Sequence, residues 1–385
     1  MRIIQLANTS LQFEPPIFSL GKILASQGNE VYCLGYQIKG LLHEEKIAEN
    51  YKLIRFNRGD WKNLPRFFRG GIRHLIYSLN VRKFIKKLSP DVIIAYAYDV
   101  LPLAVILAQK KTRVIYYCTE YSPLPSSKDL IIGWGVLKLM ERHFIKYVNK
   151  LIAVEPNRAR LHEEQWGKKI DWVILNAPLL HNEGIKENNS KTINLNTDQL
   201  KIVYAGSIDQ RNLLLEIIEA LSQFPNVVLD IYGRIIKPYD DKFLNDINST
   251  DFNPRGNFKY MGELPYRDLA SALRNYDVGL ISYDNSHPNT RYASPAKLFE
   301  YIRAGLSVIS TDQPLSKDIL EMYNIGSVFS ADNPKEISQI IQEILEKPNR
   351  IQLQKRNSFL AFNNNLNYEK QAAPLIHWIL GGSND

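Results

Sequence analysis

This sequence contains few cysteines and no long apolar run. Both features argue against a disulfide-stabilised secreted protein and against a membrane-spanning protein. Two cysteines, Cys33 and Cys118, occur in 385 residues. Each stands in an apolar, strand-like stretch, so we expect two buried free thiols in a reducing compartment. No run of about 20 apolar residues is present, so the sequence predicts no membrane-spanning helix. The N-terminal stretch MRIIQLANTS reads as a first strand and lacks the features of a secretory signal, which favours a cytoplasmic location.

The motifs of several enzyme classes are also missing. The seven histidines show no HxxxH or HxH spacing and there is no DxD triplet, so we expect no bound metal. The sequence contains neither a G-x-S-x-G nucleophile motif nor a Walker A phosphate loop. The GWG stretch at Gly133 does not directly follow a strand, so we discount it as a dinucleotide site.

Positive charge is concentrated in the first half of the chain. The net charge is +8, and residues 1–180 contain 27 basic and 15 acidic side chains. Residues 181–385 contain 21 basic and 25 acidic side chains. A basic half joined to a mildly acidic half indicates that one half faces an anionic surface.

Apolar runs of strand length alternate with segments of helix length along most of the chain. Runs such as DVIIAYAY and NVVLDIYG are continuous, as expected of parallel strands that are covered on both faces. A chain of this length also exceeds what one hydrophobic core usually serves. The pattern predicts an α/β fold with two Rossmann-like, doubly wound parallel-sheet domains that face a cleft.

A polar stretch between the two βα patterns gives the predicted domain boundaries. Residues 181–199 are rich in Asn, Lys, Glu and Thr, which is typical of a linker or a long surface loop. We predict an N-terminal domain at 1–177, a linker at 178–200 and a C-terminal domain at 201–365. A C-terminal helix at 366–385 is a candidate for packing back on the first domain.

The stretch SPAKLFEYIRAGLSVIST, which begins at Ser294, predicts a helix with an anion-binding start. Ser294 can cap this helix, Pro295 suits its first position, and Gly305 can end it. The free N–H groups and the positive end of the helix dipole suit a diphosphate, and Lys297 adds a full charge. Glu300, one turn on, offers two oxygens to the hydroxyls of a ribose. The simpler alternative is an ordinary capped helix with a Lys297–Glu300 pair.

Three predicted strands of the second half end at a glycine, which allows close approach of backbone to a ligand. These glycines are Gly206, Gly233 and Gly262. Arg211 and Arg234 follow the first two turns, where a guanidinium could meet phosphate oxygens. Each turn alone is a weak signal, but three of them at strand ends of one domain favour a phosphate site.

The second half resembles the donor domain of GT-B fold glycosyltransferases, in particular the retaining family 4, or glycosyl transferases group 1. The most specific feature is the Pro-x-Lys-[apolar]-x-Glu-[aromatic]-x-x-x-Gly arrangement that starts at Pro295, which is similar to the family's sugar-nucleotide motif. The resemblance is clear over about residues 140–330. It implies a metal-independent enzyme that uses a nucleotide-diphosphate sugar as donor substrate and no cofactor. The implied acceptor is a glycan or lipid-linked molecule, in the biosynthesis of a surface polysaccharide or glycolipid with retention.

The resemblance also implies that the N-terminal domain binds the acceptor and the C-terminal domain the nucleotide sugar, and it implies roles for single residues. Glu300 would hold the ribose, Lys297 and Arg211 would neutralise the diphosphate, and Met261 would flank the base. The implied donor site comprises Gly206, Ser207, Arg211, Gly233, Arg234, Met261, Gly262, Ser294, Pro295, Lys297 and Glu300. Many family members carry a second glutamate eight positions before the ribose glutamate, where this chain has Tyr292. Contact to the donor sugar is then expected from Asn289 or Arg291.

Glycosyl transfer needs fixed cations near the leaving diphosphate, and Lys297 and Arg211 are the candidates. Glu120, at the end of a predicted strand in the first half, is a candidate for activating the acceptor; a solvated loop carboxylate is the alternative. In a retaining reaction the donor phosphate itself can take the acceptor proton. Asn8 is a weaker candidate for contacting the acceptor or the phosphate.

The segment from Arg55 to Lys87 combines ten basic residues and one acidic residue with interleaved aromatics. Such a surface can bind an anionic membrane or a nucleic acid, and a solvated helix face above core aromatics is the third interpretation. With the glycosyltransferase resemblance, we predict peripheral association with the inner face of the cell membrane and no nucleic-acid partner.

Two other functions fit the same fold. An epimerase or hydrolase would act on the nucleotide sugar itself, without an acceptor. A non-catalytic protein would only sense a nucleotide sugar, and the tyrosine at position 292 is the sequence support for this alternative.

Overall fold

The structure is a computed structural model that describes residues 1–11, 15–59, 66–121, 123, 134–180, 199–250 and 252–381; the side chains of 66–69, 134–137 and 240–241 lie outside this description. The chain forms two compact units. The first contains Met1–Leu175 and Gln371–Asp385, and the second contains Asn176–Lys370. Most of the predicted linker at 178–200 lies outside the described residues.

The first unit is built on an eight-stranded sheet in the order β3-β4-β2-β1-β5-β6-β7-β8. Its strands are β1 (Arg2–Leu6), β2 (Glu30–Tyr36), β3 (Glu44–Ala48), β4 (Tyr51–Phe56), β5 (Val92–Ala95), β6 (Arg113–Cys118), β7 (Lys150–Ala153) and β8 (Trp172–Val173). All neighbours are parallel except β3 and β4. The polar strand β3 has no apolar run, so the sequence pattern did not predict it.

The described helices of the first unit cover the sheet. They are α1 (Pro15–Ser26), α2 (Arg66–Leu88), α3 (Leu101–Leu107), α4 (Trp134–Phe144) and α5 (Pro156–Trp166), with a 3₁₀ turn at Ile145–Tyr147. Every residue of β5 is fully buried, as expected of a strand with both faces covered. Cys33 and Cys118 are both buried thiols, as predicted.

The second unit holds a six-stranded parallel sheet in the order β11-β10-β9-β12-β13-β14. Its strands are β9 (Leu200–Ala205), β10 (Val227–Tyr232), β11 (Phe258–Gly262), β12 (Val278–Ile281), β13 (Ser307–Thr311) and β14 (Gly326–Phe329). The chain runs outward from β9 to β11 and then returns to β12. The strand order therefore reverses between β9 and β12, and ligands of such sheets bind at the carboxyl ends near this point.

Among the described residues, nine further helices lie wholly or partly in the second unit. They are α6 (Leu214–Leu221), α7 (Asp240–Asn248), α8 (Tyr266–Leu273), α9 (Pro288–Arg291), α10 (Ala296–Arg303), α11 (Pro314–Tyr323), α12 (Ile337–Glu346), α13 (Asn349–Asn364) and α14 (Tyr368–Ile379), with 3₁₀ turns at Gln210–Asn212 and Pro334–Glu336. Helix α14 begins in the second unit and ends in the first, where Arg113 donates to the carbonyl of Trp378 at 2.9 Å. The predicted α/β class with two parallel sheets is confirmed. Across the described ranges, no helix is long and apolar enough to cross a membrane.

Candidate active site

Tyr301 holds helix α10 against the second sheet. Its ring is fully buried, and its hydroxyl accepts from the backbone N–H of Ala205 at 2.8 Å and donates to the carbonyl of Leu280 at 3.3 Å. Gly279 leaves space for the ring, because a Cβ there would lie 2.3 Å from ring atoms. Since Ala205 ends β9 and Leu280 lies in β12, the helix is fixed at the point where the strand order reverses.

The start of α10 differs from the prediction by one residue. Ser294 does not cap the helix; Pro295 takes the cap position without a side-chain hydrogen bond, and Ala296 is the first helical residue. The carbonyl of Ser294 accepts from the Asn176 amide at 2.9 Å, which holds this residue outside the helix, and its buried hydroxyl has no partner among the described residues. As predicted, Gly305 ends the helix in the left-handed region, at φ +70°.

The three predicted glycine turns lie side by side at the carboxyl edge of the second sheet. The N–H of Gly206 donates to the carbonyl of Tyr232 at 3.0 Å, and the N–H of Gly233 donates to the carbonyl of Gly262 at 2.9 Å. Gly233 has φ +141°, and a Cβ there would lie 1.7 Å from the carbonyl oxygen of Gly206. Only glycine fits this position without a backbone shift, so the turns pack into one half-buried surface of main chain.

Lys297 extends from the first turn of α10 to this surface. Its ammonium lies 3.8 Å from the ring centroid of Tyr204 and 5.0 Å from that of Tyr283. A Cβ on Gly206 would lie 2.8 Å from the Lys297 nitrogen. The structure therefore brings together two residues that the sequence predicted to share one site, and it holds the cation by cation–π contacts.

The surroundings of Lys297 lower the pKa of its ammonium. Burial of the ammonium between the rings lowers the pKa of Lys297 from 10.5 to about 7, and the charge of Asp209 opposes this shift. The ammonium forms no ion pair with any described side chain. A desolvated cation without a paired anion is suited to an anionic ligand.

Glu300 is engaged by side chains of its own unit. The residue is 2% exposed; its carboxylate accepts from the Tyr266 hydroxyl at 2.7 Å and pairs with Arg303 at 2.5 Å. The simpler interpretation predicted a pair with Lys297, but the ion pair of the helix joins Glu300 to Arg303. Burial raises the pKa of Glu300, and Arg303 and Tyr266 oppose the shift.

Arg211 lies in the 3₁₀ turn that follows β9, and it is paired locally. Its guanidinium contacts both carboxylate oxygens of Asp209, at 2.6 and 3.3 Å, and the side chain is 58% exposed. Asp209 also caps the turn through the N–H of Arg211 at 2.9 Å. The arginine stands at the same strand end as Gly206, with its charge shared with Asp209.

The remaining predicted residues of the second unit lie at the surface or in the adjoining loop. Ser207, Arg234 and Met261 are exposed. Gly262 has φ +81°, so its turn needs a residue that tolerates the left-handed region. Among the described residues, no group of three or more His, Cys, Asp or Glu side chains could hold a metal ion.

The loop before α10 contains the residues expected to contact the donor sugar. Arg291 donates to Asn285 at 3.1 Å and lies 3.7 Å from a carboxylate oxygen of Asp312. The N–H of Asn289 donates to the ring of His287, which begins the short helix α9. These contacts order the loop.

Glu120 belongs to the first unit, where it is exposed just beyond β6. Asn8, which follows β1, donates to the carboxylate of Asp99 and accepts from Arg58 at 3.4 Å. Asp99 is 6% exposed, and burial raises its pKa against the opposing effect of the Asn8 hydrogen bond. A half-buried amide thus binds a buried carboxylate at the carboxyl edge of the first sheet.

The basic segment divides into a core part and a surface part. Arg55 is buried; it pairs with Glu45 and donates to the carbonyl of Ser10 at 2.7 Å, so it is not part of a basic surface. Phe56 packs edge-on against Tyr77 and Phe84, with centroids 6.5 and 6.0 Å apart. These three aromatics pack in or against the core of the first unit, as the third interpretation of the segment predicted. Trp61, Phe67 and Phe68 lie outside the described side chains.

The outer face of α2 carries the surface part. Leu75 and Leu79 are 58% and 48% exposed. The next two turns of the helix present four exposed cations, namely Arg82, Lys83, Lys86 and Lys87. The 23 residues of the helix contain no acidic side chain.

The sequence did not reveal which side chains contact Lys297 and Glu300. Tyr204 and Tyr283 hold Lys297, whereas Tyr266 and Arg303 hold Glu300. The i,i+3 spacing of Glu300 and Arg303 was a readable signal. The tyrosines come from distant parts of the chain, so no local pattern points to them.

Residues 185–360 match the family model described as Glycosyl transferases group 1. No curated protein sequence matches the chain. In fold, the chain is similar to sucrose-phosphate synthase from Thermosynechococcus elongatus, with 15% identity over 97% of both chains and a TM-score of 0.70.

Two further solved structures share this fold. Anabaena HepE, in complex with UDP and glucose, is 14% identical over 99% of this chain and 100% of its own, with a TM-score of 0.71. A TarM variant from S. aureus, in complex with fondaparinux, alpha-GlcNAc-glycerol and UDP, is 11% identical over 98% and 100%, with a TM-score of 0.72. The family match and the shared fold confirm the resemblance that the sequence predicted.

Proposed function

We propose that this chain, a GT-B glycosyltransferase of group 1, moves a sugar from a nucleotide-diphosphate sugar to a glycan or lipid-linked acceptor with retention. The observation that carries the proposal is the desolvated ammonium of Lys297 over the Gly206 turn. As the glycosidic bond breaks, negative charge grows on the diphosphate. A preplaced cation and backbone dipoles stabilise that charge without reorganisation.

In this proposal Glu300 binds the nucleotide ribose in place of the Tyr266 hydroxyl. A carboxylate has about four lone-pair positions, and Tyr266 and Arg303 use two. Tyr266 is 38% exposed, so its side chain can move outward without leaving a buried cavity. Arg303 stays as the counter-ion that keeps the carboxylate charged.

The nucleotide and the acceptor are assigned from different observations. UDP is the first nucleotide to test, because the HepE and TarM structures both contain it. The first unit would receive the acceptor, where Glu120 is exposed and Asn8 is oriented by Asp99. With retention, the oxygen of the leaving phosphate takes the acceptor proton, and Glu120 orients the acceptor hydroxyl.

We also propose that the outer face of α2 docks on an anionic membrane, as the route to a lipid-linked acceptor. Its leucines can enter the interface while its cations meet phosphate headgroups, each worth about 1 kcal/mol near the surface. The protein should co-sediment with vesicles that contain phosphatidylglycerol at low salt and not with neutral vesicles. Lys83→Gln with Lys86→Gln should reduce this binding several-fold, and Lys317→Gln with Lys335→Gln should not. An unchanged vesicle affinity in the first variant would exclude this face.

A nucleotide panel tests the donor site directly. UDP, GDP, ADP and their sugars are compared by thermal shift and calorimetry for the wild type and for Glu300→Gln. One nucleotide should stabilise the wild type, and Glu300→Gln should weaken its binding at least ~10-fold through the loss of a charged hydrogen bond. The deoxyribose form of this nucleotide should bind the wild type more weakly than the ribose form does. Glu300→Gln should bind the two forms equally. Equal binding of ribose and deoxyribose forms would contradict the role of Glu300.

Product analysis separates transfer from the two alternatives. A transferase releases nucleotide fast only with an acceptor, whereas an epimerase or hydrolase turns over the sugar nucleotide alone. A binding protein gives saturable binding and no product under either condition.

A further inference from the structure

The amino edge of the second sheet contains a polar cavity of about 440 Å³. Its walls come from the starts of β9, β10 and β11 and from the loops that precede β11 and β12. Because all six strands are parallel, this edge lies opposite the glycine turns. The cavity is therefore separate from the site around Lys297.

The strand pattern explains why this face is open. In β10, alternate residues Val227, Leu229 and Ile231 are fully buried, whereas Val228 and Asp230 are half-buried. Strands covered on both faces are apolar throughout, but β10 carries a carboxylate at its centre. The face beneath Asp230 is thus a pocket floor that the fold leaves uncovered.

Positive charge surrounds this floor. Lys201, Lys259 and Arg255 line the cavity, and neither lysine forms an ion pair with a described side chain. Arg255 uses one nitrogen to donate to the carbonyl of Ser222 at 2.7 Å, and the rest of its guanidinium is available. These three cations gather in the half of the chain where acidic residues outnumber basic ones.

The single carboxylate of the cavity does not neutralise them. Asp230 accepts from the Tyr276 hydroxyl at 2.7 Å, and this hydroxyl lies 3.1 Å from that of Tyr232. Burial raises the pKa of Tyr276, so the hydroxyl keeps its proton and remains a donor to Asp230. Side-chain amides of Gln199 and Asn275 complete the wall with both donors and acceptors.

We infer that this cavity is a second ligand site of the enzyme, for a saccharide unit that carries a phosphate or a carboxylate. Three cations suit the anionic group, and the amides suit ring hydroxyls. The volume falls within the range of small-ligand pockets and accommodates a hexose with its phosphate. The choice of a saccharide rests on the proposed function; the choice of an anion rests on the cations alone.

The test compares four ligands on three forms of the full chain. Glucose 6-phosphate, glucuronate, glucose and inorganic phosphate are titrated by calorimetry and saturation-transfer NMR. The proteins are the wild type, the cavity variant Lys201→Gln with Lys259→Gln, and a matched variant, Lys317→Gln with Lys335→Gln. The last two lysines are exposed in the same unit, so the charge change is equal.

Glucose 6-phosphate or glucuronate should bind the wild type saturably and at least ~10-fold more weakly to the cavity variant, because two charged contacts are lost. The matched variant should bind as the wild type does. Which of the two sugars binds tells whether the site takes a phosphate or a carboxylate. No saturable binding, equal loss in both variants, or inorganic phosphate binding as tightly as glucose 6-phosphate would overturn the inference.

UDP binding separates this inference from the proposed function. UDP should bind all three proteins equally, since the cavity and Lys297 lie at opposite edges of the sheet. If UDP does not bind but the sugar phosphate does, the proposed donor site fails and the cavity stands.

Discussion

The carboxyl edges of the two sheets are built from different kinds of groups. In the second unit, Gly206 and Gly233 place main chain without side chains at the edge, and Lys297 extends to Gly206. In the first unit, the side chains of Asn8 and Asp99 bind each other across adjacent strand ends. Bare backbone with a desolvated cation suits a ligand with several negative charges at close range. A fixed amide and carboxylate suit a hydroxyl, which agrees with the proposal that the second unit binds the diphosphate and the first unit the acceptor.

The largest effect should come from removing the cation. Lys297→Met keeps an unbranched side chain that is one atom shorter and removes the charge, so turnover of the donor should fall ~100-fold, as for other groups that stabilise a leaving anion. Asp99→Asn is the matching change at the other edge, and it should leave UDP affinity within about twofold. Steady-state kinetics and calorimetry give both quantities. Near-normal turnover of Lys297→Met would contradict the proposal that the carboxyl edge of the second sheet binds the diphosphate.

A smaller effect should follow from moving the same cation without changing its charge. Gly206→Ala places a methyl group 2.8 Å from the Lys297 nitrogen. The flexible lysine can shift, and the φ of +159° at position 206 strains an alanine, so we expect a lower melting temperature and a ~10-fold loss of turnover from misplacement of the ammonium. Gly71→Ala, in a helix with free space at its Cβ, is the control. Full activity in Gly206→Ala would show that the position of the ammonium is unimportant.

The smallest and most diagnostic effect concerns pH. The free protein holds Lys297 at a pKa of about 7, and a bound diphosphate should raise that pKa. Binding should therefore take up a proton above pH 7, and UDP affinity should fall by up to about tenfold per pH unit as pH rises. Calorimetry in buffers of different ionisation enthalpy measures this uptake. Lys297→Met should abolish it, and an uptake that persists in this variant must come from another group.

The sequence pattern predicted features whose causes are local. Gly305 ends its helix and Gly233 makes its turn because each needs a backbone conformation that other residues avoid. Continuous apolar strands such as β5 follow from burial on two faces. The polar edge strand β3 has no such signal, and its residues read as loop.

The missed features depend on contacts between distant segments. Asn176 draws the Ser294 carbonyl away from the helix, so the cap moves to Pro295. Tyr204 and Tyr283 meet at Lys297 only after the sheet has formed. The pKa of that lysine therefore could not be predicted from its own helix.

The hydrogen bond from the N–H of Ala205 to the Tyr301 hydroxyl fixes helix α10 to the end of β9. Tilting the helix would strip a buried donor of its acceptor and open a void beside Gly279. The Lys297 side chain, which extends from this helix, is consequently positioned by the sheet. Whatever motion accompanies a catalytic cycle in this enzyme, the anion should find the ammonium already in place.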